Sequence, residues 1–435
     1  MNVTENMCPA YHRPSGWNAL LPARAPSSKL PDERKFDIVI IGAGYTGLAA
    51  ARRIAQERPD QQVLVLEGST IGEGASGRNS GFVIDIPHNI KVGDDSDGRE
   101  TALRQIRIYE EGLSWLEQLV RENRIDCGWN PVGKFYAAVT EGGEQKLRGM
   151  LPQYRDWGIA YNEFDRDGLK AELGTSYYRY GFYSSHNVFV QPAALIRGLA
   201  ATLPANVTVV EQTPVTSLSE SSPFRVTTPR CEFTANKVVV ANNGFAASLG
   251  LLKDRLMTIH TYAAMTPKLH EEELAKLGRP GEWGVLPGKR IGSTIRKTAD
   301  GRFLVRSAQT YGHEDTGDRV LKILTESYRR RYPNMASHTF EHFWSGVVGL
   351  TRNGANFFGE LRPKLYVSVG CNGVGILKGS MFGRLLGELA LGVDSQTLHD
   401  VLALERPTWL PPEPFRRISV MSAIRYQAAV AGAER

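Results

Sequence analysis

The segment that most constrains this chain is Gly42-Ala-Gly44-Tyr-Thr-Gly47, a Gly-x-Gly-x-x-Gly turn between two patterned stretches. Before it, Phe36-Asp-Ile-Val-Ile-Ile41 has the continuous apolar character of a strand buried on both faces. After it, Tyr45 to Gln56 is alanine-rich and helical in pattern, and Gln62-Val-Leu-Val-Leu-Glu67 is a second buried strand. Together they form one βαβ unit with an acidic residue, Glu67, twenty positions after the last glycine. Gly42 permits the tight turn, Gly44 lets the backbone approach a pyrophosphate, and Gly47 lets helix and strand pack closely. The helix N-terminus offers free N–H groups and partial positive charge to an anion. The pattern predicts a dinucleotide seated on Gly42, Gly44, Tyr45, Thr46 and Gly47, with Glu67 accepting ribose hydroxyls beside Gly68. NAD and FAD present the same ADP half to such a surface, so the turn alone does not separate them.

Composition excludes several classes. With 435 residues, 42% hydrophobic and 23% charged, the chain can bury a substantial core and is not disordered. A net charge of +6, with Arg329 to Arg331 as the longest cationic run, gives no nucleic-acid-binding arm. Cys8, Cys127, Cys231 and Cys371 are too widely spaced for a zinc or disulfide framework, which predicts free thiols in a reducing compartment. No signal-peptide pattern or run of about 20 apolar residues is visible, so a cytoplasmic protein without a membrane span is expected.

Residues 1–35 read as an extended arm laid on the surface. Residues 100–125 carry apolar positions at helical spacing, including Ile106, Ile108, Leu113, Leu116 and Leu119. Strand-like segments follow at 207–210, 224–228 and 237–241. Short β-like runs between 255 and 310, such as 258–265 and 303–306, predict an antiparallel sheet in a second domain. Leu365-Tyr-Val-Ser-Val369 is another buried strand, followed by a glycine-rich turn and a helix from about Ser380 to Leu391.

Two further motifs complete the set: Gly74-Ala-Ser-Gly-Arg-Asn-Ser-Gly81 and Val369-Gly-Cys-Asn-Gly-Val-Gly-Ile-Leu-Lys-Gly-Ser380. With the first turn, with Lys237-Val-Val-Val-Ala-Asn-Asn-Gly244 and with Trp344-Ser-Gly-Val-Val-Gly-Leu-Thr-Arg352, they resemble the D-amino-acid oxidase family of FAD-dependent oxidoreductases, best its γ-glutamylputrescine oxidoreductase-like branch. The resemblance covers residues 36–395. It implies an α/β, two-domain FAD-dependent oxidoreductase fold: a Rossmann-like FAD domain from residues 36–95, 181–250 and 344–400, and an α+β substrate domain with an antiparallel sheet from 96–180 and 251–343. Residues 401–435 form a tail. The resemblance also implies FAD contacts from Gly74, Ala75, Ser76, Arg78, Asn79 and Ser80, an adenine contact at Val215, and contacts from Ala241 and Asn242. In the last motif Gly373, Val374, Gly375, Ile376, Leu377 and Lys378 face the flavin, where a glycine turn feeding a helix N-terminus suits the anionic reduced ring. The Gly74–Gly81 loop has no histidine and the Trp344–Arg352 segment no cysteine, so noncovalent FAD is expected, with Cys371 as a packing residue.

The family's carboxylate anchors are missing where they should stand. Glycine oxidase-like members place an arginine at the position of Val348; sarcosine oxidase-like members place a lysine at Leu377 and an arginine at Gly81. An unpaired carboxylate in an apolar pocket is costly, which predicts an amine whose reacting carbon bears no free carboxylate, or one whose carboxylate is recognised remotely, as in γ-glutamylated polyamines. Arg296, Arg306, Arg352 and Lys378 are candidates to restore an anion site, which keeps an amino-acid substrate as the alternative. The lysine that activates oxygen in sarcosine oxidase-like relatives aligns with Val305, leaving O2 or another acceptor open. His260, Tyr262 and Lys378 are the candidate catalytic residues, the first two to hydrogen-bond the amine or favour its neutral form. A reading of another class is a flavin-binding subunit or RNA-modifying flavoprotein; an NAD-dependent dehydrogenase would leave the Gly74 and Gly370 motifs unexplained. The arm and the tail from Pro407 are candidates to cover the fold or a neighbouring subunit of a homo-oligomer.

Overall fold

The computed structural model describes residues 8–86, 96–335 and 337–435. The expected domain boundary at residue 95 and the first seven residues of the arm lie outside them.

A parallel sheet organises one half. Its main path runs Phe357–Arg362, Leu365–Val369, Glu232–Val240, Lys35–Ile41, Val63–Leu66, Val207–Val210, with only the first strand of this path antiparallel to its neighbour. Both faces of the central strands are covered, and Val39, Ile40, Val63, Leu64 and Val65 are fully buried. Helix Tyr45–Glu57 packs on one face with helix Ile376–Leu391 against it. That contact is close because Gly383 stands over the helix backbone: a Cβ there would lie 2.2 Å from the Thr46 carbonyl oxygen. The parallel register sets the functional row. Ile41 pairs with Leu66 and Val240, and Leu66 with Val210, so Gly42, Glu67, Ala241 and Glu211 emerge side by side at the strands' C-terminal ends. This is the crevice in which open α/β sheets bind ligands.

A second eight-stranded sheet runs His342–Leu350, Met257–Met265, Phe303–Tyr311, Thr294–Lys297, Trp283–Pro287, Lys134–Ala138, Tyr180–Ser184, Asn162–Asp165. All its pairs are antiparallel except Trp283–Pro287 with Lys134–Ala138. Helix Asp318–Arg331 packs on one face through Val320, Leu324 and Tyr328. The strand His342–Leu350, most of which the sequence division groups with the nucleotide sheet, is hydrogen-bonded along its length to Met257–Met265 in this second sheet. Helix Ser96–Glu122 buries Ile108, Leu116 and Leu119 in the core of the parallel sheet rather than the second one.

Both termini depart from the surface arm and tail that their composition suggests. Ser15, Gly16, Trp17 and Asn18 are buried in a one-turn helix, held by Ser15 Oγ to the Gly77 carbonyl (2.8 Å), Trp17 Nε1 to the Asn79 carbonyl (2.7 Å) and Asn18 Nδ2 to the Gly72 carbonyl (2.7 Å). At the other end Glu434 is buried and accepts from Val139 N (3.0 Å) and Thr140 N (2.9 Å), while its carbonyl accepts from Arg331 (2.9 Å).

Candidate active site

The crevice and the second sheet enclose a cavity of about 1350 Å³. Its first wall is the glycine turns. Gly42 has φ +104°, and a Cβ on Gly47 would lie 1.8 Å from the Gly42 carbonyl oxygen, so neither position admits a side chain. Gly44 caps helix Tyr45–Glu57, and the Tyr45 N–H faces Ser76 Oγ at 3.3 Å. Glu67 accepts from the N–H groups of Ala43 (2.8 Å) and Ser69 (2.9 Å), which fix its carboxylate at the row's edge. Burial raises its pKa against those bonds, and the neighbouring Glu211 adds to the rise. Burial also opposes Glu211 ionisation, but Arg24 and the N–H groups of Ile71 and Ser27 hold its carboxyl below the usual range. The arm thus neutralises the second acid of the row. Asn242 Oδ1 is buried without a hydrogen-bond partner, and Val215 is buried in the core beneath.

The Gly74–Gly81 loop is held from three sides. Arg78 reaches the Glu73 carboxylate (2.8 Å) and the carbonyls of Ser345 (3.0 Å) and Arg13 (3.0 Å), with its guanidinium 3.6 Å over the Tyr11 ring. Asn79 clamps its own loop, donating to Ser76 O (2.8 Å) and accepting from Gly81 N (2.9 Å). Ala75, Arg78, Asn79 and Ser80 still line the cavity. Opposite them, Gly370 and Gly373 take φ +82° and +86°, and Cys371, Gly373, Val374, Gly375, Ile376 and Lys378 line it as well. Two asparagines not foreseen as structural keys set this turn. Asn243 Oδ1 accepts from Gly370 N (3.3 Å), and Asn372 Oδ1 accepts from Thr351 N (2.9 Å).

The candidate residues separate clearly. Leu377 is buried in the core of the parallel sheet, whereas Lys378 lines the cavity, its ammonium 5.5 Å from the Phe382 ring centre. Among the described residues no hydrogen bond or ion pair holds that ammonium. Burial lowers its pKa to about 8, against a small opposing effect of Cys371. In the strand Met257–Met265, Ile259, Thr261 and Ala263 line the cavity and His260 does not. His260 Nδ1 is buried without a partner, and burial lowers its pKa while Glu314 pulls the other way. Tyr262 touches the cavity, but its hydroxyl is engaged by Thr310 Oγ1 (2.6 Å) and accepts from Asp315 N (2.7 Å), with the ring stacked on Phe343. Val305 is buried in the core behind the sheet, while Arg306 lines the cavity. Val348 also lines it, and a Cβ on Gly81 would lie 2.0 Å from Arg296 Nη1. Arg296 is spoken for by Glu282 (2.7 Å) and the carbonyls of Ser80 and Val190. Part of the remaining wall comes from the tail, where Trp409, Val420, Ala423 and Gln427 line the cavity. No run of motif residues marked that contribution.

Lys378 gives a pH test. Below about 8 its ammonium is charged in both folded and unfolded chains, and the cost of burying it is present in full. Between about 8 and 10.5 the unfolded chain binds more protons than the folded one at this site, so stability rises with pH; above 10.5 the cost is gone. Across that window the wild type is expected to gain stability relative to Lys378→Met, read as urea midpoints of both proteins at a series of pH values. A constant gap between them would mean that Lys378 does not titrate there.

The donor set fits FAD: a side-chain-free turn at a helix N-terminus, an oriented carboxylate at the ribose end, and a second glycine turn facing the loop of Arg78 and Asn79. Comparison with known proteins agrees. Residues 37–389 match the DAO family, FAD dependent oxidoreductase. The chain is 28% identical over 389 residues to gamma-glutamylputrescine oxidoreductase of Escherichia coli (strain K12), covering 88% of this chain and 89% of that one. It is 27% identical to the probable oxidoreductase OrdL of Rhizobium meliloti, covering 95% and 96%. Among solved structures, glycine oxidase from Geobacillus kaustophilus superposes with a TM-score of 0.72 at 21% identity, covering 84% of this chain and 96% of that one. NikD, an unusual amino acid oxidase essential for nikkomycin biosynthesis, gives 0.66 at 17%, covering 88% and 99%. No described helix is long and apolar enough to cross a membrane. With its phosphate turn, ribose carboxylate and flavin-facing loops in one crevice, the chain belongs to the DAO family of FAD-dependent oxidoreductases.

Proposed function

We propose that the protein oxidises an amine carried by a small molecule, releasing a carbonyl compound and an amine or ammonia. FAD, held noncovalently, supplies the redox chemistry by taking a hydride at N5 from the carbon beside nitrogen. The resulting imine is hydrolysed by water. This chain's residues bind and orient the amine and exclude bulk water; His260 lies outside the lining and the Tyr262 hydroxyl is already bonded, so neither acts directly on the amine. Lys378 is the remaining ionisable candidate at the cavity wall beside the flavin-facing turn.

The observation that carries the reading is Val348. It lines the cavity at the position where glycine oxidase-like members carry the carboxylate-binding arginine, while Leu377 is buried away from it and Gly81 has no room for a side chain. A carboxylate on the reacting carbon therefore lacks the family's usual partners. An amino-acid substrate is the second reading, favoured by the cationic side chains of the cavity wall. An anaerobic screen decides between them: amines and polyamine conjugates are expected to bleach the visible flavin band faster than free α-amino acids. Faster bleaching by α-amino acids would select the second reading, and bleaching by neither class would reject both. Readmitting air and assaying peroxide then distinguishes O2 from another acceptor.

A further inference from the structure

We infer that Arg306 is a substrate-binding residue that seats a carboxylate of the amine, which makes the substrate an amino-carboxylate rather than a purely cationic amine. This deepens the function proposed above and rests on it.

The local cause is a bulge. In the strand Phe303–Tyr311 an even spacing separates residues on one face, yet Arg306 and Gln309 both line the cavity. Ala308, with φ +61°, is the extra residue: Thr261 pairs with Gln309 and Tyr262 with Ser307, and the register shifts between them. Val305 and Ser307 are fully buried on either side of Arg306, which leaves the arginine as the one charged group that this stretch of the strand turns toward the cavity.

Its guanidinium is enclosed by protein, reached by solvent through the cavity, and makes no hydrogen bond or ion pair among the described residues. The four most deeply buried arginines behave differently. Arg52 donates to Leu199 O and Thr202; Arg78 to Glu73 and two carbonyls; Arg296 to Glu282 and two carbonyls; Arg331 to Tyr178, Ser327 and Glu434 O. Arginine does not escape burial by losing its proton, so an enclosed guanidinium without an acceptor is a standing cost that an arriving anion removes. The wall around it adds to the same field. Eight cationic side chains line the cavity and one carboxylate, Glu405, which Asn353 already contacts at 2.8 Å. A substrate without negative charge would enter against that field; one with a carboxylate is drawn in.

Placement separates this seat from the family's own anchors. Arg306 pairs with Ala263, and Ala263 with Trp344, so it stands two strands from His342–Leu350, about 10 Å at about 4.8 Å per strand. Val348 lies on that outer strand and Leu377 on the helix across the cavity. The carboxylate is thus held from the side opposite to the flavin-facing turn.

The test uses the FAD-loaded full chain and its Arg306→Gln and Arg306→Lys variants. Anaerobic flavin reduction is measured with three substrate sets: α-amino acids, ω-amino carboxylates including γ-glutamylated amines, and the matching amines without a carboxylate. Acetate and butyrate are also titrated while the flavin spectrum is followed. In Arg306→Gln the preference for amino-carboxylates over carboxylate-free amines is expected to fall at least tenfold. The spectral response to acetate or butyrate is expected to weaken as much, with partial recovery in Arg306→Lys. Which amino-carboxylate set loses the more places the seat near to or far from the reacting carbon. An unchanged preference together with an unchanged spectral response in Arg306→Gln would overturn the inference. Should that variant fail to hold flavin, Arg306→Lys decides alone by the same ratio, since a bidentate seat is weakened by lysine. If no amine of any kind reduces the wild-type flavin, the proposed function fails, while the carboxylate titration still tests the seat.

Discussion

Gly47→Ala is expected to give a protein that is purified without its yellow colour. A Cβ at this position would stand 1.8 Å from the Gly42 carbonyl oxygen and 3.0 Å from its carbonyl carbon, and both are backbone atoms of the turn itself. No side chain can swing aside. Either helix Tyr45–Glu57 lifts from strand Lys35–Ile41 or the turn opens, and both displace the N–H groups that face the pyrophosphate. Inserting bulk into a packed site costs about 1–3 kcal/mol, which corresponds to a loss of about ten- to hundred-fold or more in cofactor affinity. Gly74→Ala is the matched control. Gly74 has φ −81°, nothing lies within 4 Å of the added Cβ, and the variant is expected to keep its flavin. The measurement is FAD stoichiometry by absorbance after gel filtration, with circular dichroism to confirm that both variants fold. A Gly47→Ala protein carrying full FAD would mean that the turn is not where the cofactor's phosphates bind.

That turn was legible because its signal is local: the strand, turn, helix and acid all fall within about thirty residues, and parallel register then places Glu67 and Ala241 beside Gly42. The antiparallel second sheet was legible for a similar reason, since alternation along 258–265 and 303–306 is read from neighbours in sequence. What was not legible depends on partners far along the chain. Trp17 is buried because its indole meets Asn79, 62 residues away, and nothing in the composition of residues 1–35 announces that. Lys378 rather than Leu377 reaches the cavity because helix Ile376–Leu391 begins at Ile376, four residues earlier than its pattern suggested, and so sets a different phase. The bulge at Ala308 is invisible in a string where alanine is unremarkable, yet it decides that Arg306 and Gln309 share a face. Arg306 could be named as a cation from sequence, but its lack of an acceptor is a property of everything around it.

The second large effect concerns Arg296, the cation that occupies the space next to Gly81. Glu282 and Arg296 are almost completely buried, with side-chain exposures of 2% and 4%, and their Oε1–Nη2 distance is 2.7 Å. Asn130 holds the other carboxylate oxygen at 2.9 Å, and the guanidinium lies 4.7 Å from the Phe189 ring centre. Removing the acid leaves an enclosed charge with only two carbonyl acceptors, so Glu282→Ala is expected to lower stability by about 3–5 kcal/mol. Glu282→Gln keeps an acceptor without the charge and should fall between the two. The double replacement Glu282→Leu/Arg296→Met, which removes both charges, should be much closer to wild type than Glu282→Ala, because the penalty belongs to the unpaired partner and not to the loss of the pair. Guanidinium-induced unfolding of all four proteins measures this. The flavin reports it too: Arg296 Nη1 donates to the Ser80 carbonyl at 2.8 Å in the loop that faces the ring, so Glu282→Ala should also shift flavin fluorescence below the unfolding transition. A double variant as unstable as Glu282→Ala would place the cost in packing at Phe189 and Trp17 instead of in the stranded charge.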